Sequence, residues 1–262
     1  MPIDDVRTQG TGLPVLLLPG GAESCEGFFP GLPEGLVADP GCQVVLHDRP
    51  GTGISTADGS LAGAASHLNS LVDEIGAGPV VLAGQSLGGA VAVLFAAAHP
   101  EKVAGVVLLD PTPINDARVC ARLERAMRVL GALAAVPGPG GLLSAAMRAA
   151  TRRAALRARL RADCEAAMIR TGGADLPRLA RAVRGITALS QGLREDALPQ
   201  VPAVVVTADR AQDSVVRRSH TRLAAAFGGS VVCWPGATHS VHLDHPDETL
   251  AVVRDVVTRA KA

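Results

Sequence analysis

The stretch from Val80 to Val91 constrains the fold of this chain more than any other. A short apolar run ends in a Gly-x-Ser-x-Gly pattern centred on Ser86, and an apolar helical pattern begins at Leu87. A strand, a sharp turn and a helix in this order form the context that a nucleophile elbow requires. The alternative is a glycine-rich turn that only packs a helix against a strand, but the flanking pattern favours the functional interpretation.

Composition limits the possible classes of protein. The 262 residues are 48% hydrophobic and 19% charged, which predicts a globular chain with one large core. A formal net charge of zero and an aromatic content of 2% argue against a nucleic-acid partner. No apolar run is long enough to span a bilayer. Residues 1–5 lack the basic and apolar pattern of a secretory signal, so we expect a cytoplasmic location.

The cysteines point to a reduced protein. They are odd in number, scattered along the chain, and form neither a CxxC pair nor a disulfide framework. We therefore expect ordinary small core or surface residues at these five positions: Cys25, Cys42, Cys120, Cys164 and Cys233.

Apolar runs that alternate with helical patterns predict a mostly parallel sheet. The predicted strands besides the elbow strand are Leu13–Leu18, Cys42–Leu46, Val103–Leu109, Pro202–Thr207 and Ser230–Cys233. The predicted helices are 61–75, 87–98, 214–227 and 246–260, whereas 28–39 is proline-rich and is expected to be irregular.

Residues 115–200 differ in character from the rest. They are rich in Ala, Arg and Leu and contain no run of β-branched residues, so we predict a helical cap over the edge of the sheet. Residues 1–114 and 201–262 then form the core. We interpret the arginine cluster at 152–161 as a solvated helix face and not as an anion-binding site.

Two further loops carry candidate chemistry. Gly20 and Gly21 directly follow a predicted strand and could present backbone N–H groups to an anion. His239 follows the last predicted strand, where it could serve as a base for Ser86. His242 and His245 nearby suggest zinc, but no regular helix is expected before Pro246, so we predict no metal and no cofactor.

Three segments together resemble the α/β-hydrolase fold family: 84–88, 48–55 (Asp-Arg-Pro-Gly-Thr-Gly-Ile-Ser) and 236–239 (Gly-Ala-Thr-His). The resemblance implies a mostly parallel central sheet with helices on both faces and a helical cap. It also implies a Ser–His–acid triad with Ser86 and His239, and an oxyanion hole built from the N–H groups of Leu87 and Gly21. Pro19 stands where the family often has histidine.

The sequence offers two candidate positions for the triad acid. In many members of the family the acid follows, by a few residues, the strand that here ends at Thr207. That spacing falls on Ala211, while Asp209 comes too early and Asp213 two residues late. Some members carry the acid after the preceding strand instead. In this chain that strand ends at Leu109 and is followed directly by Asp110. We predict Asp110, with Asp213 as the alternative acid, and otherwise expect Asp213 to cap the helix that begins at Ser214.

The predicted function is a serine hydrolase that cleaves an ester, thioester or lactone through an acyl-enzyme. The expected partner is a small apolar acyl substrate. A lyase or cyclase of the same fold, or a ligand-binding protein with a vestigial triad, is the alternative, because the fold alone does not decide the reaction. The pathway and the oligomeric state stay open.

Overall fold

The computed structural model describes residues 6–57, 59–76, 78–173 and 175–262. The first five residues, from which we expect no secretory signal, lie outside this part, as do Asp58, Ala77 and Ala174 within the predicted core and cap. None of the described helices combines the length and the hydropathy that crossing a membrane requires.

In the described part of the chain, seven strands form one sheet in the order β1-β3-β2-β4-β5-β6-β7. All neighbours are parallel except β1, which pairs antiparallel with β3. The strands are β1 Arg7–Gln9, β2 Leu13–Leu18, β3 Cys42–Leu46, β4 Val80–Gln85, β5 Val103–Leu109, β6 Ala203–Thr207 and β7 Ser230–Cys233. The predicted mostly parallel sheet is therefore confirmed.

The described residues also form eleven α-helices. They are α1 Leu32–Ala38, α2 Leu61–Glu74, α3 Leu87–Ala98, α4 Ala117–Ala134, α5 Pro139–Ala158, α6 Ala162–Thr171, α7 Leu176–Ala182, α8 Ile186–Gly192, α9 Val215–Ala226, α10 Val241–Asp244 and α11 Pro246–Lys261. Helices α2, α3 and α9 cover one face of the sheet, and α1 and α11 cover the other. Because both faces are covered, the central strands are apolar throughout.

Successive strand residues alternate between two hydrophobic cores. Leu16, Leu82 and Leu108 pack on the α2–α3–α9 face, and their neighbours Leu17 and Ala83 pack on the α1–α11 face. This alternation follows from the period of two along a strand. It holds the carboxyl ends of β2, β4, β5 and β6 together at one edge of the sheet.

Three elements differ from the sequence-based expectations. Strand β1 is exposed and polar, so it leaves no apolar signal. Helix α1 lies in the stretch expected to be irregular, because Pro33 occupies its first turn, where proline is tolerated. The predicted cap by Asp213 is wrong: Ser214 caps α9 by accepting from the N–H of Arg217 at 3.3 Å.

Residues 115–200, which we name the cap segment, form only helical structure between β5 and β6 in the described part of the chain. Helix α4 packs on α5, α7 and α8, and α5 packs on α6. The cap segment contains fifteen arginines and seven acidic residues, whereas the rest of the chain, the core segment, contains ten basic and eighteen acidic residues. The division into these two segments stays a prediction.

Candidate active site

Ser86 stands in the sharp turn between β4 and α3. Its backbone has φ 50° and ψ −116°, a strained conformation for a residue with a side chain. A Cβ at Gly84 would lie 2.6 Å from the carbonyl oxygen of Gly88, and a Cβ at Gly88 would lie 2.1 Å from that of Leu18. Only glycine at these two positions lets β2, β4 and α3 approach closely enough to hold the turn.

Ser86, His239 and Asp110 form a row of hydrogen-bonded side chains. His239 Nε2 lies 2.9 Å from Ser86 Oγ, and His239 Nδ1 lies 2.6 Å from Asp110 Oδ2. With Nδ1–H donating to the carboxylate, Nε2 is free to accept the hydroxyl proton. Gln85 Nε2 donates to the carbonyl oxygen of His239 at 2.9 Å and ties the histidine loop to the end of β4.

Asp110 directly follows β5 and is buried, with 1% of its side chain exposed. Its carboxylate accepts from the N–H of Ala208 at 2.9 Å and from both terminal nitrogens of Arg210. Burial alone would raise its pKa, but the hydrogen bonds from His239, Arg210 and Ala208 hold the pKa well below its ordinary value. Asp213, the alternative acid, is exposed and does not line the cavity described below.

The Gly20–Gly21 loop lies against the elbow. A Cβ at Gly20 would come within 2.0 Å of Gln85 Oε1 and 3.0 Å of Ser86 Cβ. Gly21 has a φ of 58°, which glycine adopts without strain. Within the described residues, no backbone carbonyl accepts from the N–H of Gly21 or of Leu87. Both amides therefore stay available near Ser86.

The turn after β3 holds that loop in place. Asp48 accepts from Ser24 Oγ at 2.8 Å, from the N–H of Cys25 at 2.6 Å and from the N–H of Ile54 at 2.9 Å. Arg49 donates to the carbonyl oxygen of Gly21 at 3.2 Å, and burial lowers its pKa to about 10. The side chains of Asp48 and Arg49 thus hold the candidate oxyanion loop by hydrogen bonds.

A cavity of about 760 Å³ lies over Ser86 and His239. Residues of the cap segment contribute much of its apolar wall, namely Val119, Leu123, Met127, Leu179 and Val183. Besides Asp110 and Arg210, four charged residues line the cavity: Glu23, Arg170, Asp175 and Arg178. Burial raises the pKa of Glu23, while the charges of Arg178 and Arg170 oppose that shift. Sequence reasoning singled out none of these charged residues, because their juxtaposition depends on how the cap helices pack.

The three late histidines have separate partners. His242 stacks on Phe28 with ring centroids 4.8 Å apart, and burial lowers its pKa to about 3. His245 Nε2 lies 3.2 Å from the carbonyl oxygen of Pro235. The described residues contain no group of three His, Cys, Asp or Glu side chains arranged to hold a metal ion. The expectation of no metal and no cofactor stays a prediction.

Comparison with known proteins places the chain in context. A model of the "Alpha/beta hydrolase family" matches residues 15–252. Lipase LipV of Mycobacterium tuberculosis is 46% identical over 72 residues, which is 28% of this chain and 25% of the lipase, so the match spans about a quarter of that relative's length. Among solved structures, MenH from S. aureus superposes with a TM-score of 0.80 at 14% identity, covering 99% of this chain and 100% of MenH. A thermophilic esterase from Thermogutta terrifontis superposes with a TM-score of 0.75 at 22% identity, covering 98% of this chain and 93% of the esterase.

Proposed function

Because the chain belongs to the alpha/beta hydrolase family, we propose that it is a serine hydrolase that cleaves a carboxylic ester, thioester or lactone. One observation carries the proposal: the unbroken row from Ser86 Oγ through His239 to the buried Asp110 carboxylate. A serine hydroxyl becomes a strong nucleophile only when a positioned base removes its proton, and this row supplies the base and the group that orients it.

The proposed reaction has two halves. Ser86 Oγ attacks the acyl carbon while His239 Nε2 takes the hydroxyl proton, and Asp110 stabilises the imidazolium that forms. The N–H groups of Leu87 and Gly21 donate to the developing oxyanion, each typically worth roughly 3 kcal/mol in the transition state. The bond from the acyl carbon to the leaving oxygen or sulfur then breaks while His239 protonates that atom, so an alcohol or thiol is released; with a lactone, the new hydroxyl stays attached to the acyl chain. A water molecule activated by the same imidazole hydrolyses the acyl-enzyme.

The cavity supports an apolar acyl group as the part of the substrate that is bound. Aliphatic side chains of the cap segment form much of its wall, and 760 Å³ falls within the range of pockets for small molecules. We therefore propose that residues 115–200 act as a cap that selects the acyl chain. A set of p-nitrophenyl esters of increasing chain length measures that preference through kcat/KM.

An activity-based probe tests the reaction class. We expect a fluorophosphonate to label wild-type protein at Ser86, with labelling abolished in Ser86→Ala and unchanged in Ser240→Ala, a nearby serine outside the row. A screen of esters, thioesters and lactones then defines the bond that is cleaved. Folded protein that neither labels nor turns over any of these acyl compounds would favour the lyase, cyclase or ligand-binding alternative.

A cytoplasmic location also remains a proposal. It is supported by the cysteines, all five of which are free. Cell fractionation with an antibody against the chain tests it directly.

A further inference from the structure

Arg210 contacts both carboxylate oxygens of Asp110. Its Nη2 donates to Asp110 Oδ2 at 2.7 Å and its Nη1 donates to Oδ1, so the guanidinium spans both carboxylate oxygens. Asp110 Oδ2 is also the oxygen that His239 Nδ1 approaches at 2.6 Å. The histidine and the arginine therefore share one carboxylate.

The position of Arg210 in the fold explains how this contact arises. It lies in the loop after β6, next to Ala211, the residue on which the common spacing of the family acid falls. Strand β6 pairs with β5 in parallel, so this loop and Asp110 meet at the same edge of the sheet. The carbonyl oxygen of Arg210 accepts from Arg217 Nη1 at 2.9 Å, which anchors the loop to α9. The loop after β6, where many family members have the triad acid, thus supplies Arg210, the cation that contacts Asp110.

A bidentate guanidinium does two things to a buried carboxylate. It fixes the plane of the carboxylate, because two parallel N–H donors fit only one orientation. It also offsets the negative charge that would otherwise stabilise a protonated imidazole nearby. An imidazole beside a shared carboxylate thus binds a proton at a lower pH than one beside a carboxylate of its own.

We propose that Arg210 is a positioning residue of the triad that orients the Asp110 carboxylate toward His239 and shares its negative charge. This inference rests on the proposed function and deepens it, since it assigns a role in the same site. Replacing Arg210 should therefore change how the reaction rate depends on pH as well as the size of the rate.

Other charged groups near the row have different partners. His220 Nδ1 lies 3.9 Å from Asp110 Oδ1, but His220 is buried between Thr207 Oγ1 and the carbonyl oxygen of Pro111, and its burial lowers its pKa. His242 is likewise held neutral by burial.

The remaining charges face elsewhere or sit across the cavity. Asp209 accepts from the N–H of Gly236, and Asp244 accepts from Thr238. Glu23, Arg170, Asp175 and Arg178 line the cavity, and none of them has a hydrogen bond to Asp110 or His239 among the described contacts. Within the described residues, Arg210 is thus the cation in direct contact with the triad acid.

The experiment measures how reaction rate depends on pH in three variants. The rate of fluorophosphonate labelling of Ser86, which requires no knowledge of the natural substrate, is followed from pH 4 to 9 along with ester kcat/KM. The acid limb is the part of the pH–rate profile in which the rate rises with pH. In Arg210→Gln we expect this limb to move to higher pH by about one unit, so that the rate at a given pH on the limb falls about ten-fold. Arg210→Lys keeps the positive charge but loses the paired N–H donors of the guanidinium. The acid limb of its pH–rate profile should therefore stay near that of the wild type. Arg218→Gln, an exposed arginine on α9, is the matched control and should leave the profile unchanged.

A merely structural role predicts a different result. If Arg210→Gln lowers the rate equally at every pH and the limb stays in place, the proposal is overturned. A double-mutant cycle keeps the question answerable if Arg210→Gln folds poorly, because Asp110→Asn/Arg210→Gln leaves no unpaired buried charge. We expect Arg210→Gln to add little to the loss already caused by Asp110→Asn, and full additivity contradicts an action through Asp110.

The proposed function and the proposed role of Arg210 can fail independently, and the two failures give different experimental results. In that case wild-type protein neither labels nor hydrolyses esters, yet titration of the His239 imidazole by NMR still compares wild type with Arg210→Gln. A higher titration midpoint in the variant supports the role of Arg210 even then, and equal midpoints refute it.

Discussion

The core segment and helix α5 of the cap segment differ in how much of their side-chain surface is buried. In the core segment, the strands under the site bury nearly every side chain, and the loops that carry Ser86 and Asp110 leave directly from β4 and β5. In the cap segment, α5 buries only Ala155 among its described side chains, and Leu142 is 75% exposed. Other cap-segment residues, such as Cys120 and Ile186, are buried in the hydrophobic cluster of the sheet, and Arg178 adds hydrogen bonds to the carbonyl oxygens of Gly51, Gly53 and Ser55.

This difference indicates a division of labour. The sheet edge fixes the reacting groups to within hydrogen-bonding distance, so changes there should act on turnover. In the cap segment, α5 is loosely packed and other residues contribute much of the apolar wall of the cavity, so changes there should act on substrate binding. The predictions below test that division, beginning with the largest expected effect.

Ser86→Ala should remove the proposed nucleophile and leave the fold intact. We expect kcat to fall by about a million-fold, the loss seen when a triad serine is removed elsewhere. Steady-state kinetics measure the loss, and circular dichroism verifies folding. Measurable turnover in a folded Ser86→Ala protein would break the link between the sheet edge and the chemistry.

Asp110→Asn compared with Asp213→Asn tests which carboxylate orients His239. Because Asp110 is buried against His239 and Asp213 is exposed, Asp110→Asn should lower kcat by about ten-thousand-fold while Asp213→Asn stays near wild type. The reverse pattern would move the triad acid to the loop after β6.

Replacing one glycine in each segment tests the difference in packing between the elbow and helix α5. A Cβ at Gly88 meets the carbonyl oxygen of Leu18 at 2.1 Å, whereas a Cβ at Gly141 in α5 has nothing within 4 Å. We expect Gly88→Ala to lower the free energy of unfolding by about 3 kcal/mol through overpacking. Gly141→Ala should raise it by up to about 1 kcal/mol through helix propensity. Urea denaturation of both variants measures the pair, and equal effects would contradict the difference in packing.

Of the variants proposed here, Arg178→Met should have the smallest effect, and the effect should be confined to KM. Arg178→Met removes three hydrogen bonds between α7 and the turn after β3, so the cap should be positioned less firmly. We expect KM to rise by roughly five-fold with kcat within about two-fold of wild type, as for loss of uniform binding. Arg181→Met, an exposed arginine of the same helix, is the control. A large loss of kcat with KM unchanged would show that the cap takes part in the chemistry.

Much of the sheet and of the site was predictable from sequence because both depend on local patterns. The continuous apolar run Val103–Leu109 identifies a buried strand, and the acid at its end, Asp110, then falls beside the end of β4. The elbow is equally local, since Gly84 and Gly88 are required by the approach of neighbouring backbones. These features need no knowledge of distant contacts.

The remaining features depend on tertiary contacts that spacing does not encode. Arg210 becomes meaningful only when β5 and β6 lie side by side, although a buried acid at a strand end does signal that a donor is needed. Arg178 reaches carbonyl groups more than 120 residues away in sequence. An amphipathic pattern such as that of α4 marks an apolar face but does not say which helices cover it, so the walls of the cavity were not foreseen.

The uneven distribution of arginines makes this chain an electric dipole. Its formal net charge is zero, yet the cap segment carries eight more basic than acidic residues and the core segment carries the opposite excess. A particle of this kind has no net force on it in a uniform field but is turned by that field, and a charged surface attracts it by one side only. Salt at physiological concentration limits the reach of that attraction to about 8 Å. Within that reach, an anionic surface attracts the cap segment and repels the core segment.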